Sequence, residues 1–240
     1  KGVGNQLSYL EKLGVTTLWL TSVNENDQPR LNEWGNKVAG YHGYWFTDHY
    51  QVDKRLGGNK AYQELCQLAH ARGMKVIQDA IYNHIGNYHW IAQDPPTADW
   101  LNSSQGKNPP HHREEVFFDP YASTQDKRQM LDGWFVPHLP DLNQRNKDVA
   151  RFLIQYSIWA TVEYGLDGWR VDTYKYNEED FVNDINTALT REFPTLTIFG
   201  DEKKINPQYK SFISKIECGD PKTDTSEEIF EKFALFLLIK

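Results

Sequence analysis

A chain of 240 residues with a net charge of −7 and no Lys/Arg run is the size of one domain and lacks the basic surface that nucleic acid requires. No apolar run reaches the roughly 18 residues of a membrane span, and two cysteines, Cys66 and Cys218, are too few for a disulfide framework. Aromatic residues make up 14% of the chain, with eight Trp and thirteen Tyr, and flat rings with polar edges suit sugar faces as well as a core.

In chain order, Asn5 to Leu13 places Leu7, Leu10 and Leu13 at helical spacing and stops at Gly14, a common C-terminal signal. Val15 to Leu20 is β-branched and apolar, which predicts a buried parallel strand. Thr21 to Gly58 reads as one long polar loop carrying Tyr41, Tyr44, Trp45, Phe46 and Tyr50, and loops of that length in compact domains are usually functional. Asn59 is placed to cap a helix running to Arg72, with Leu65, Leu68 and Ala69 turned inward and Cys66 a small buried hydrophobe. An apolar strand from Met74 to Gln78 then delivers Asp79.

Residues 85–146 show little periodicity but many Pro, Trp and His. Asn146 to Tyr164 predicts a helix whose stripe is Val149, Phe152, Leu153, Tyr156 and Trp159. Leu166 to Val171 is the next strand; Phe181, Ile185 and Leu189 mark a further helix, and Leu196 to Phe199 a fourth strand. In the tail, Thr225-Ser226-Glu227-Glu228 reads as a capping box before Phe230, Phe233, Phe236 and Leu237. Alternating strands and helices predict an α/β fold with a parallel sheet and crossovers.

Arg170 and Asp172 stand two apart at a strand end and so share a face. A neighbouring guanidinium favours the charged form of a carboxylate, as a carboxylate nucleophile requires; a structural ion pair is the other reading of the same two residues. Asp79-Ala80-Ile81-Tyr82-Asn83-His84 ends another apolar strand.

Four segments stand in a fixed order: Tyr41-His42-Gly43-Tyr44-Trp45, then Asp79 to His84, then Leu139-Pro140-Asp141-Leu142-Asn143, then Gly165 to Asp172. Together they resemble the alpha-amylase family of glycoside hydrolases, and within it most of all the cyclomaltodextrinase and neopullulanase group. The resemblance runs from about Leu7 to about Glu202. It implies an incomplete (β/α)8 TIM barrel with about four strands present and an inserted loop-rich subdomain after the Asp79 strand. The expected division is barrel over 1–84, small subdomain over 85–146, barrel again over 147–202, and a tail over 203–240.

The function implied is retaining hydrolysis of α-1,4-linked glucans such as starch, maltooligosaccharides, cyclodextrins or pullulan, with a non-catalytic sugar- or protein-binding module as the alternative. Asp172 matches the family's nucleophile and Arg170 the arginine beside it. Asp79 and His84 match residues that hold sugar hydroxyls, and Tyr44 the tyrosine that stacks on the cleaved ring. His42 precedes Tyr44 as in the cyclomaltodextrinase group, and Lys175 matches a lysine on the acceptor side. In Phe199-Gly200-Asp201-Glu202, the acid falls on Asp201 without a gap or on Glu202 with a one-residue shift, and Glu202 has the longer reach.

No cofactor is required by the resemblance, but calcium stays open. Asn83 matches a position that binds it in many alpha-amylases, while Asn143 stands in place of an aspartate and Tyr176 in place of a histidine. The family's Asn-His-Asp stretch is not among the 240 residues, which implies little turnover by this chain alone. The chain opens without an initiator Met, so periplasmic, secreted and cytoplasmic locations all stay open.

Overall fold

The computed structural model describes residues 2–33, 35–102 and 115–200. Helix α1 (Gly2–Lys12) buries Leu7 and Leu10, and the chain turns into strand β1 (Thr17–Leu20), whose pleat buries Leu18 and Leu20 on one face. Trp19 lies on the opposite face, the one that matters for the site below.

The stretch expected to be a bare loop holds four short strands: β2 (Asn24–Glu25), β3 (Leu31–Glu33), β4 (Asn36–Val38) and β5 (Asp48–Val52). They form two antiparallel pairs, β2 with β5 and β3 with β4. They are two to five residues long and mostly polar, so neither length nor alternation betrays them.

Helix α2 (Gly58–His70) begins one residue before Asn59, with Gly57 at its N-cap in a left-handed conformation. The expected cap is therefore corrected. Asn59 instead turns its amide to β5, accepting from the Val52 backbone N–H at 2.7 Å and donating to the Tyr50 carbonyl at 3.0 Å. The inward face is Tyr62, Cys66 and Ala69; Leu68 is 47% exposed, against the expectation.

Strand β6 (Lys75–Ala80) follows, then three short helices, α3 (Trp90–Gln93), α4 (Glu115–Phe118) and α5 (Thr124–Asp132). The long helix α6 (Lys147–Tyr164) is capped by Asn146, whose side chain accepts from the N–H groups of Asp148 and Val149, and it ends at left-handed Gly165. Strand β7 (Gly168–Val171), helix α7 (Glu179–Glu192) and strand β8 (Thr197–Gly200) complete the described chain.

Four strands make one parallel sheet in the order β1-β6-β7-β8. The helices α2, α6 and α7 connect successive strands and cover the sheet with one core containing Val76, Leu153, Ala160, Trp169, Ile185 and Leu189. The register sets Asp79 opposite Arg170 and Arg170 opposite Phe199. Asp79, Arg170 and the residue after β7, Asp172, thus reach the same edge of the sheet. Asp201, Glu202, Cys218 and the tail over 203–240 lie outside the described residues.

Candidate active site

Asp79 stands next to last in β6 and is 1% exposed. Its carboxylate accepts from Trp19 Nε1 at 2.6 Å, from the Tyr44 hydroxyl at 2.9 Å and from Arg170 Nη1 at 3.0 Å. The same Arg170 nitrogen donates to Asp172 at 2.8 Å. One guanidinium therefore holds two carboxylates side by side, within the width of a sugar ring, and lies 5.4 Å from the centre of the Trp19 ring. The Arg170 and Asp172 side chains keep 12% and 13% exposure.

Tyr44 is held from behind. Its backbone N–H donates to His42 Nδ1 at 3.0 Å, and the two rings stack 5.4 Å apart. Burial, together with the charges of Asp79 and Asp172, pushes the Tyr44 phenol up from its ordinary value, so it stays a donor. Between these residues Gly43 has φ +88, and a Cβ there would lie 2.2 Å from the Ser22 carbonyl oxygen. Gly43→Ala is expected to lower stability by about 2 kcal/mol or more, since backbone strain and overlap add; a urea titration reads it.

His84 is buried, and burial pushes its imidazole down to about 4. Neither ring nitrogen has a well-formed hydrogen bond; Phe135 meets the ring edge-on at 5.8 Å. Lys175 lies in the short 3-10 turn Tyr174–Tyr176 just after Asp172, with its Nζ 5.5 Å from the centre of the Tyr176 ring. The turn begins at Thr173, whose φ of +49 is unusual for a β-branched residue.

Asn83 and Asn143 do not converge on each other through their amide nitrogens. Asn83 donates to Asp141 and Asn143 to the Asp99 carbonyl. The side-chain amide oxygen Oδ1 of each is buried without a donor. Asp141 also accepts from Asn102 at 2.8 Å, and burial pushes its carboxyl well above the usual range.

Two residues of this arrangement carry no site role in the sequence. Trp19 reads there as core, although an indole N–H on the face opposite Leu18 and Leu20 needs an acceptor somewhere. Asp141 stands inside a recognised segment but is given no role.

Asp79→Ala removes the acceptor shared by Trp19, Tyr44 and Arg170. It is expected to cost about 2–6 kcal/mol, since Arg170 keeps Asp172 but the Trp19 and Tyr44 donors are stranded at about 1–3 kcal/mol each. Asp79→Asn, which keeps an acceptor oxygen, should cost less. Chemical denaturation of both variants checks the order; equal losses would contradict it.

The alpha amylase catalytic-domain family matches residues 1–217. A beta/alpha-amylase of Paenibacillus polymyxa is 31% identical over 192 residues, covering 78% of this chain and 14% of that protein. Neopullulanase 2 of Thermoactinomyces vulgaris is 28% identical over 210 residues, covering 86% of this chain and 30% of its own length. The crystal structure of an alpha-amylase from Geobacillus thermoleovorans, complexed with acarbose, superposes with a TM-score of 0.67 at 31% identity. That match covers 87% of this chain and 41% of the other. The chain thus spans less than half the length of these relatives.

Proposed function

We propose a function from one premise: the chain belongs to the alpha-amylase family, whose catalytic domain matches residues 1–217. Its four parallel strands belong to a (β/α)8 barrel. The activity the geometry supports best is retaining hydrolysis of an α-glucan by a protein that contains this chain. The observation that carries the reading is the single Arg170 nitrogen shared by Asp79 and Asp172 at the sheet's C-terminal edge.

In this reading Asp172 is the nucleophile and forms the covalent glycosyl intermediate. Arg170 holds it in place and supplies the counter-charge. Asp79 and His84 bind hydroxyls of the ring being cleaved, the buried imidazole of His84 having no well-formed hydrogen bond to give up. Tyr44 lies under that ring with His42 behind it, and Lys175 serves the acceptor side. Glu202 is the acid, in preference to Asp201, because one more methylene extends its reach. We assign 1–84 and 147–202 to the barrel, 85–146 to a small inserted subdomain and 203–240 to a tail.

The test is anomer analysis by NMR of products from maltooligosaccharide and cyclodextrin, using a protein that carries this chain within a complete barrel. The α-anomer should appear first. Release of the β-anomer would overturn the retaining assignment, and sugar binding without cleavage would favour a binding module.

Calcium fits the residues present. Asp141 is a buried carboxylate, and the side-chain oxygens Oδ1 of Asn83 and Asn143 lie buried without donors; a hard cation takes such oxygens. Asn83, Asp141 and Asn143 would hold it, and bound there it would supply neutralisation of the buried charge and a tie between two segments. Among the described residues no three His, Cys, Asp or Glu side chains form a metal-binding group, so the site has few charges and weak affinity is expected. Millimolar calcium should raise Tm by about 2–4 °C relative to EDTA, the shift for about 1 kcal/mol in a chain of this size. Asp141→Asn should abolish that increment; an increment that survives would place the ion elsewhere.

A further inference from the structure

Four charged side chains other than the carboxylate pair and Arg170 form one connected network. Arg128, on α5, makes two bonds to Glu178, at 2.6 and 3.0 Å. Arg145, just before α6, reaches Glu178 at 3.1 Å and Asp132, at the end of α5, at 2.8 and 3.3 Å. Isolated surface pairs contribute little, but bidentate arginines in a shared network are the exception. These four side chains are 18% to 42% exposed, so they are screened only in part.

What the network holds is the segment after Asp172. The Glu178 backbone N–H donates to Gln144 Oε1 at 2.8 Å, and Gln144 Nε2 donates to Asn177 Oδ1 at 2.6 Å. Asn177 in turn donates to the carbonyls of Thr173 and Tyr174 at 3.0 and 3.2 Å. A left-handed Thr173 persists only where its surroundings over-determine it, and this chain of bonds does so from the far end of the turn. Arg145 also donates to Asn102 Oδ1 at 3.0 Å, which leaves the Asn102 nitrogen facing Asp141.

We propose that Arg145 and Glu178 are positioning residues for Asp172, forming a latch through which helix α5 and the Asn102 segment fix the turn that carries Asp172 and Lys175. The proposal rests on the reading of Asp172 as nucleophile. The latch needs the guanidinium fork, which spans Asn102, Asp132 and Glu178 together; a lysine keeps the charge but not that geometry.

Hydrogen exchange on the 240-residue chain tests it, with Arg145→Lys, Glu178→Gln and the double variant. Amides of 124–132 and 173–178 should exchange about tenfold faster in each single variant, as expected for local opening, with no further change in the double variant. Strands β6 and β7 should keep their protection. Acceleration confined to one of the two segments, additive effects in the double variant, equal loosening of β6 and β7, or wild-type exchange in Arg145→Lys would each overturn the latch. Maltotriose affinity, read by tryptophan fluorescence, should fall severalfold in both single variants at unchanged β6 and β7 protection. Unchanged affinity with the exchange response intact would refute a positioning role. Should the 240-residue chain bind no maltotriose, the affinity comparison is made with the same variants in a protein with a complete barrel, where failure of the wild type to bind would count against the proposed function while the exchange result still judges the latch.

Discussion

Asp172→Asn, made in a protein with a complete barrel, is expected to lower turnover by about 10⁴-fold or more while changing sugar affinity only a few-fold. The magnitude follows from losing a nucleophile in a concerted catalytic group. An amide keeps the shape and one acceptor oxygen for Arg170 Nη1, but it cannot form the glycosyl ester. The fold should survive because Arg170 retains Asp79 as its second partner at 3.0 Å, so no buried guanidinium is stranded. Steady-state kinetics and calorimetric titration with an oligosaccharide separate the two quantities. Turnover within tenfold of the wild type would remove Asp172 from the reaction. Loss of binding and turnover together would make the Arg170 pair structural.

The second large effect is acid lability between about pH 6.5 and 4. His49 Nδ1 and His89 Nε2 lie 2.9 Å apart, and His89 Nδ1 accepts from the Ile91 N–H. His89 therefore carries its proton on Nε2 and donates it to His49, so a further proton would have to go on His49 Nδ1 or His89 Nδ1, each of which already accepts a hydrogen bond. Burial pushes His49 well below its usual 6.5, and takes His89 to about 3 and His84 to about 4. The unfolded chain binds these protons at 6.5 and the fold does not, so stability is full above 6.5 and is lost as pH falls towards the folded values. At about 1.4 kcal/mol per pH unit per group, the three together cost about 6 kcal/mol by pH 5. That rivals the whole stability of an ordinary domain.

Asp141 and Asp132 work the other way, since burial raises both carboxyls and the penalty falls in acid, but Asp132 is only partly buried and the three imidazoles outweigh the two. Asp53, lowered by Arg55, acts only below the usual carboxylate range and stays outside this window. Tm should therefore drop steeply from pH 7 to pH 5. His89→Asn, which keeps an N-cap acceptor for Ile91, should flatten the slope. A Tm that holds within about 2 °C over that range would contradict the reading, because such a loss shifts Tm by many degrees.

Much of this was legible in the residues because strands of period two end in chemistry. Asp79, Arg170 and Asp172 sit at the ends of apolar runs, and spacing alone puts the last two on one face. The long helix α6 also announces itself, with Asn146 before it and Gly165 after it. Tertiary choices were not legible. Nothing local tells Asn59 to bond a neighbouring strand rather than its own helix, or turns Leu68 outward while Cys66 goes in. Trp19 is apolar by composition and polar by one atom, and only the register of β1 on β6 shows which of these the fold uses.

The Asn59 amide has a consequence beyond its own helix. A strand at the margin of a sheet offers a row of unpaired peptide groups on which another chain can build. On the side of β5 away from β2, Asn59 occupies one such N–H and one such carbonyl, at Val52 and Tyr50. A side-chain amide there imitates the next strand's peptide and ends the ladder after a single rung. Resistance to edge-to-edge aggregation at this margin thus rests on two side chains, Asn59 of the helix that follows and Asp48, whose carboxylate takes the Tyr50 N–H at 2.7 Å.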